Sequence, residues 1–524
     1  MHFWGSPASP YEKFLKTGNL SYLYQMDSFD MAIIIAYFTI LAILSFYGMH
    51  RYVMVLLFHR FRKNAAVVKE KFAELPRVTV QVPSYNEMYV IERAIDAVCS
   101  FDYPRDRLDI QVLDDSTDDT SLEVSRLADL YREKNVNIEL VHRSNREGFK
   151  AGALAEGMKS ASGEFIAIFD ADFMPGKDWL KRVISVFDDE KIGCVQTRWG
   201  HANSGHSPFT RSVSLALNGH FVVEQAARSS NGLFFGFNGT AGIWRRACIE
   251  DAGGWQPDTL TEDLDLSYRA ELRGWRFRYL PDVVVPAELP VMMESFKKQQ
   301  YRWAKGCAQT AKKLYPRLLK ADIPEYVRIL GMIHLAGYFV SLLMVLSFLA
   351  LILLGFYDPH FLNLFPYTLV TSLGPPLMYL VSRAEDFPRL GDRIKAFPLL
   401  MLIGYGISLN NAVAVLDGLL SNKVGTFIRT PKYNDFGKGR VEDREGYTFQ
   451  VSPLVWIELL FSLIALGGVY LLYPKLGWGI VPWLLLYAFG YAFIALFNLS
   501  QGIRHSSGKT QRLAVSHDPT SHSD

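Results

Sequence analysis

The stretch Phe165-Ile166-Ala167-Ile168-Phe169-Asp170-Ala171-Asp172-Phe173 decides how this chain folds. Four apolar residues lead to Phe169, and two aspartates then stand one residue apart just where the run is ending. An unbroken apolar run of this kind is the pattern of a strand buried on both faces, as in a parallel sheet. Polar groups just beyond such a strand lie at its carboxyl end, where open α/β sheets bind their ligands. Asp170 and Asp172 present hard oxygen ligands there. Such ligands suit Mg²⁺ or Mn²⁺, ions commonly shared between one or two carboxylates and the phosphates of a substrate. The bland alternative is a strand end followed by a turn, and Asp-x-Asp alone does not separate the two.

Outward from this stretch, strands and helices alternate. Val78-Thr79-Val80-Gln81-Val82 is a β-branched strand ending at Pro83, and Tyr89–Ser100 has helical spacing of Ile91, Ala94, Ile95 and Val98. Leu108–Leu113 reads as a second strand that ends in Asp114 and Asp115, with a helix following to Tyr131. Ile138–His142 gives a third strand, Lys150–Ser160 a helix and Phe165–Phe169 a fourth strand. This spacing predicts parallel βαβ units and a doubly wound α/β sheet.

Charge is missing from long stretches elsewhere. Residues 31–50, 329–357, 359–382, 396–416 and 476–503 carry no Asp, Glu, Lys or Arg, and 459–474 is similarly bare. A bilayer crossing needs about 20 apolar residues, so an integral, multi-pass membrane protein is expected. The first run lacks a small-residue cleavage site and reads as a retained anchor. Arg51, Arg60, Arg62 and Lys63 follow it without an acid among them, which places the N-terminus outside and the block 64–328 in the cytosol. The segment 396–420 has basic residues on both flanks, so it reads as interfacial rather than crossing. The count is then five spans plus one interfacial segment, with six spans as the competing count. The expected organisation is 1–63 with the first helix, 64–328 as the cytosolic domain, 329–503 as the membrane domain with a cytosolic loop at 421–452, and 504–524 as a disordered tail. The net charge of +2 provides no bulk attraction to nucleic acid. Cys99, Cys194, Cys248 and Cys307 have no metal-ligand spacing and read as reduced structural thiols.

Three further groups can carry chemistry. Asp115 ends a strand as Asp170 does, and a carboxylate there can accept N–H groups of a nucleotide base. Asp118 and Asp119 suit a helix cap better. In Thr261-Glu262-Asp263, acids begin a helix, where the dipole alone favours them, yet a carboxylate near a metal-diphosphate can also act as a general base on a hydroxyl. Gln299-Gln300-Tyr301-Arg302-Trp303 sets a flat indole, on which sugars stack, beside a guanidinium that pairs with phosphate, although aromatic and basic residues are also usual at a membrane interface.

Taken in order, Gln81-Val82-Pro83-Ser84-Tyr85-Asn86-Glu87, Val112-Leu113-Asp114-Asp115-Ser116-Thr117-Asp118, Gly148-Phe149-Lys150-Ala151-Gly152-Ala153-Leu154, Asp170-x-Asp172, Phe234-Phe235-Gly236-Phe237-Asn238-Gly239-Thr240, Thr261-Glu262-Asp263 and Gln299-x-x-Arg302-Trp303 resemble the motifs of processive family 2 glycosyltransferases. Plant cellulose synthase-like A and C proteins, which make mannan, glucomannan or glucan backbones, are similar in particular. The resemblance covers residues 76–320 densely and the membrane part in outline. It implies a GT-A fold set within transmembrane helices and an inverting transfer from a nucleotide sugar. It further implies that Tyr85, Glu87, Asp115, Lys150 and Asp170 bind the donor, that Asp170 and Asp172 hold Mg²⁺ or Mn²⁺, and that Asp263 is the base. Asn238, Gly239, Thr240, Glu262, Gln299, Arg302 and Trp303 would serve the acceptor. Phe427-Ile428-Arg429-Thr430-Pro431-Lys432 resembles the gating loop of cellulose synthases, with Arg429 where that loop carries Val.

The reading is a metal-dependent hexosyltransferase that uses cytosolic UDP-glucose or GDP-mannose, extends a polysaccharide and passes it through its own membrane domain, at the plasma membrane or the Golgi. Its rivals are a non-processive enzyme that glycosylates a lipid such as diacylglycerol, and a transporter or receptor that only binds nucleotide sugar.

Overall fold

The computed structural model describes residues 28–61, 74–354, 370–421, 451–476 and 480–516, with Phe72, residues 423–425, Thr430, Lys432 and Trp478 between them. Seven strands form one sheet in the order β3-β2-β1-β4-β6-β5-β7. They are β1 Val78–Ser84, β2 Leu108–Asp114, β3 Ile138–His142, β4 Phe165–Ile168, β5 Ile192–His201, β6 Gly242–Arg245 and β7 Arg276–Ala287. The first four pair in parallel, as the alternation predicts. The other half is mixed: β6 runs antiparallel to both β4 and β5, whereas β5 and β7 are parallel. The expected doubly wound α/β sheet is thus present, with parallel βαβ units in its first half and a mixed second half. β6 has only four residues, too few to announce a direction by pattern.

The defining stretch behaves as a strand buried on both sides. Phe165, Ala167 and Phe169 pack with Val78, Val80, Val82, Ile110 and Val112 in one core, while Ile166 and Ile168 enter another with Leu154, Trp244 and Leu266. Alternate side chains leave a strand on opposite faces, so each face needs its own cover of helices. The chain lays β2 and β3 to one side of β1 and then returns to place β4 on the other. This reversal opens a crevice at the carboxyl ends of β1 and β4. Residues 84–87, 114–115 and 170–172 are brought together there.

Among the described residues, three helices are long and apolar enough to cross a membrane, Met31–Arg60, Leu454–Pro474 and Val481–Ile503. Two broken pairs join them if each counts as one span: Glu325–Leu335 with Phe339–Leu354, bent by 68°, and Leu390–Gly406 with Ser408–Leu420, bent by 42°. Residues 370–381 form a shorter apolar helix, and the rest of the uncharged run from 359 lies outside the described residues. The helix Val481–Ser516 continues into the segment expected to be disordered from 504. Extending an existing helix is far easier than nucleating one, so polar residues can prolong it. Residues 1–27, 517–524 and most of the loop 421–452 lie outside the described residues, including Phe427, Ile428, Arg429 and Pro431 of the gating-loop resemblance.

Candidate active site

The crevice is lined from three directions. From the parallel half come Tyr85, Glu87, Asp115, Lys150, Asp170 and Asp172; from the mixed half Asn238, Gly239, Glu262 and Asp263; and from the long helix Met293–Lys320 come Gln299, Arg302 and Trp303. The spacing of the last three puts them on one helical face. Of the residues expected to serve the donor, the metal, the base or the acceptor, Thr240 stays behind the wall. It is fully buried, and its hydroxyl accepts a hydrogen bond from Asp170 N at 2.8 Å. It thus shapes the Asp170 turn from within.

Asp114 and Asp115 separate in role. Asp114 is buried, accepting from Ser116 N at 3.1 Å and Ser121 Oγ at 2.6 Å, so it holds the loop after β2. Asp115 faces the crevice and is gripped by both arms of the Arg143 guanidinium, Nε at 2.7 Å and Nη2 at 2.5 Å. Beside it the Arg146 guanidinium lies 3.3 Å from the Tyr85 ring centroid, a cation–π stack.

Cations sit on both members of the Asp-x-Asp pair. Lys150 Nζ donates to Asp170 Oδ1 and, at 2.8 Å, to Gly239 O. Burial works against the Lys150 ammonium, but Asp170 and then Glu262 outweigh it, and its pKa is raised. Lys432 Nζ donates to Asp172 Oδ2 at 2.6 Å and to Glu288 O at 2.8 Å. Glu288 N also donates to that Asp172 oxygen at 3.2 Å. Among the described residues no group of three or more His, Cys, Asp or Glu side chains can hold a metal. Two carboxylates that attract positive charge fit an ion whose other ligands are water or phosphate oxygens, rather than a closed structural site.

Asp263 lies across the crevice, in the first turn of the helix Glu262–Glu271. Leu264 N donates to its Oδ1 at 2.8 Å. Burial first, and then the charge of Glu262, raise its pKa to about 7, against the opposing pull of Leu264 N, Lys150 and Arg302. Glu262 is itself raised by burial, against Lys150. Gly239 is what allows the close approach: it has φ +82°, and a Cβ added there would lie 2.9 Å from Asp263 Oδ2 and 3.5 Å from Lys150 Nζ.

A second cavity of about 660 Å³ begins at the same place. Asp263, Asn238, Trp199 and Trp303 line both. From them it runs between membrane-type helices past Tyr47, Tyr338, Tyr405, Trp483 and Tyr487. Sequence reasoning missed Arg146, Trp199, His201 and Glu288, all in the crevice wall. The pair Trp199 and His201 closes β5, a strand whose end carries no aspartate to mark it.

A mixed α/β sheet with carboxylates at its strand ends, and a poised carboxylate facing them, defines a glycosyltransferase of the GT-A class. The family described as Glycosyltransferase like family 2 matches residues 76–306. Glucomannan 4-beta-mannosyltransferase 1 of Cyamopsis tetragonoloba is 34% identical over 446 residues, covering 80% of this chain and 81% of that protein. The chain belongs to this glucomannan 4-β-mannosyltransferase family. Glucomannan 4-beta-mannosyltransferase 7 of Arabidopsis thaliana is 43% identical over 255 residues, 48% of this chain and 46% of that protein. The chain thus spans about half the length of that relative, and about half (48%) of its Oryza sativa counterpart, glucomannan 4-beta-mannosyltransferase 1. Among solved structures, the mannosyltransferase PcManGT from Pyrobaculum calidifontis in complex with GDP-Man and Mn²⁺ has the same fold, with a TM-score of 0.50 at 22% identity, covering 75% of this chain and 98% of that one.

Proposed function

We propose that this chain transfers mannose from GDP-mannose to the growing end of a β-mannan or glucomannan, with inversion, and leads the product into its membrane domain. One observation carries the reading: Asp263 stands on the wall shared by the crevice and the cavity. A sugar chain lying in the cavity would present its terminal hydroxyl to Asp263, with the donor beyond it. The names of the relatives, mannosyltransferases of glucomannan, support the sugar and the polymer. Glucose from UDP-glucose is the second donor to test.

In this reading Tyr85, Glu87 and Asp115 hold the nucleotide, and Asp170 and Asp172 would hold Mg²⁺ or Mn²⁺, which supplies neutralisation of the leaving diphosphate when bound. Lys150 and Arg302 add positive charge on the same side. Asp263 takes the proton of the acceptor hydroxyl as its oxygen bonds to the anomeric carbon, and the bond from that carbon to the nucleoside diphosphate breaks. The pKa of Asp263 suits a base that must be ionised near neutrality yet still accept a proton. Gln299, Arg302 and Trp303 receive the terminal sugar.

We place the catalytic domain, residues 64–328, in the cytosol, with the N-terminus outside and five crossings around an interfacial segment at 396–420. The charge asymmetry supports this placement. The test is incorporation by purified protein in lipid vesicles, with radiolabelled GDP-mannose and UDP-glucose offered separately. Mannose label in a long polymer that β-mannanase digests, formed with Mg²⁺ or Mn²⁺ and lost with chelator, is expected. A small chloroform-soluble product would support the glycolipid reading instead, and donor binding without turnover would make the chain a binding protein.

A further inference from the structure

The helical stretch after β5 is broken in a particular place. Pro208–Asn218 and Gln225–Ser230 are α-helical, but Gly219–Glu224 between them is a π-turn. Such turns often mark functional positions, because the wider winding re-aims the side chains it carries. Here it carries His220 and Glu224. Gly219 permits a close neighbour: a Cβ there would lie 2.6 Å from the Tyr379 ring, which belongs to the apolar helix Gly374–Val381.

The hydrogen bonds around His220 fix its tautomer from a backbone starting point. Gln225 Nε2 donates to Gly236 O at 3.0 Å, which orients that amide, and it also donates to Asn238 Oδ1 at 2.6 Å. Asn238 therefore turns its Nδ2 towards His220 Nε2, 3.2 Å away. The Asn238 amide can only donate there, so Nε2 accepts and the ring proton resides on Nδ1. Nδ1 faces Glu224 Oε2 at 3.4 Å. Glu224 is in turn held by Arg51 Nη1 at 2.7 Å and by Arg228 Nε at 3.3 Å. The backbone of Asn238 is fixed as well, since its N–H donates to Gln196 Oε1 at 2.9 Å. One amide hydrogen of Asn238 is thus committed to His220, and Asn238 itself lines both the crevice and the cavity beside Asp263.

We infer that His220 is a positioning residue for the acceptor: with Nε2 accepting from Asn238 Nδ2, it orients Asn238 so that the second amide hydrogen points at the sugar chain next to Asp263. Through Glu224 and Arg51 it ties that orientation to the first membrane helix, Ser28–Phe61. The inference rests on the acceptor reading of Asn238 proposed above.

Purified His220→Ala, His220→Gln, Asn238→Ala and the double His220→Ala/Asn238→Ala are compared with the unaltered chain for polymer formation from GDP-mannose, with melting recorded for each. His220→Ala should lower kcat for polymer by about 10- to 100-fold, the scale expected when a reacting group is misplaced by an ångström or less, while KM for GDP-mannose stays within a few-fold. His220→Gln, which sets an amide oxygen where Nε2 stood, should recover most of the rate. The double variant should be no worse than Asn238→Ala, because both substitutions remove one interaction. Additive losses, or no rescue by Gln at equal melting temperature, would overturn the role of His220 alone. An Asn238→Ala variant with unaltered polymer rate would overturn the acceptor reading beneath it.

Discussion

With Asp263 as the proposed base, its environment makes signed predictions. Asp263→Asn keeps the shape but cannot take a proton, so turnover should fall by about 10²- to 10⁴-fold while calorimetric binding of the donor persists. Because burial and Glu262 raise its pKa to about 7, the ionised, active form accumulates as pH climbs through that value. The pH profile of kcat/KM should therefore rise through neutrality and level off above it. Glu262→Gln removes a charge that raises Asp263, so the same limb should move to lower pH; a limb that stays in place would separate Glu262 from the base. Gly239→Ala puts a methyl 2.9 Å from Asp263 Oδ2 on a left-handed backbone, and should cost transfer about 10-fold or more with the fold retained. Much of this site was legible in the sequence because carboxylates at strand ends and at a helix start are local patterns. What was not legible is relational. Asp115 is clamped by Arg143, Thr240 backs Asp170 instead of facing the crevice, and His220 meets Asn238 only because a π-turn and a loop converge.

At the scale of elements, the helix Met293–Lys320 joins the two halves of the molecule. It carries Gln299, Arg302 and Trp303 into the crevice, and its Lys297 forms a fully buried pair with Glu458 of the apolar helix Leu454–Leu476 at 2.6 Å. Asn410 Nδ2 donates to Lys297 O at 3.1 Å, fastening the helix Ser408–Leu420 to the same point. Removing one partner strands a buried charge, which costs about 3–5 kcal/mol, whereas an apolar pair of similar size can be nearly neutral. Glu458→Ala should consequently lower the melting temperature in lipid nanodiscs clearly more than Lys297→Met with Glu458→Leu does. Equal melting of the two would mean that the pair does not hold the junction. The parallel strands β1 to β4 were readable because short runs rich in β-branched and apolar residues alternate with stretches of helical spacing. The mixed strands were not, since β6 is too brief for a period and β7 is interrupted by Pro281 and Pro286. The interfacial reading of 396–420 rests on its basic flanks, and the helices Leu390–Gly406 and Ser408–Leu420 there meet at 42°, an angle that fits a broken span as well as a re-entrant segment.

At the scale of the whole molecule, the crevice and the larger cavity share Asp263, Asn238, Trp199 and Trp303, so in the proposed function synthesis and passage would use one path. The aromatic and tyrosine-rich lining of the cavity suits sugar rings, which offer apolar faces and hydroxyls together. The most direct test is to supply GDP-mannose to sealed vesicles whose protein has its catalytic domain outward, then add β-mannanase with and without detergent. The account predicts labelled polymer that resists the enzyme until detergent opens the vesicle. Polymer digested at once from the outside would contradict it.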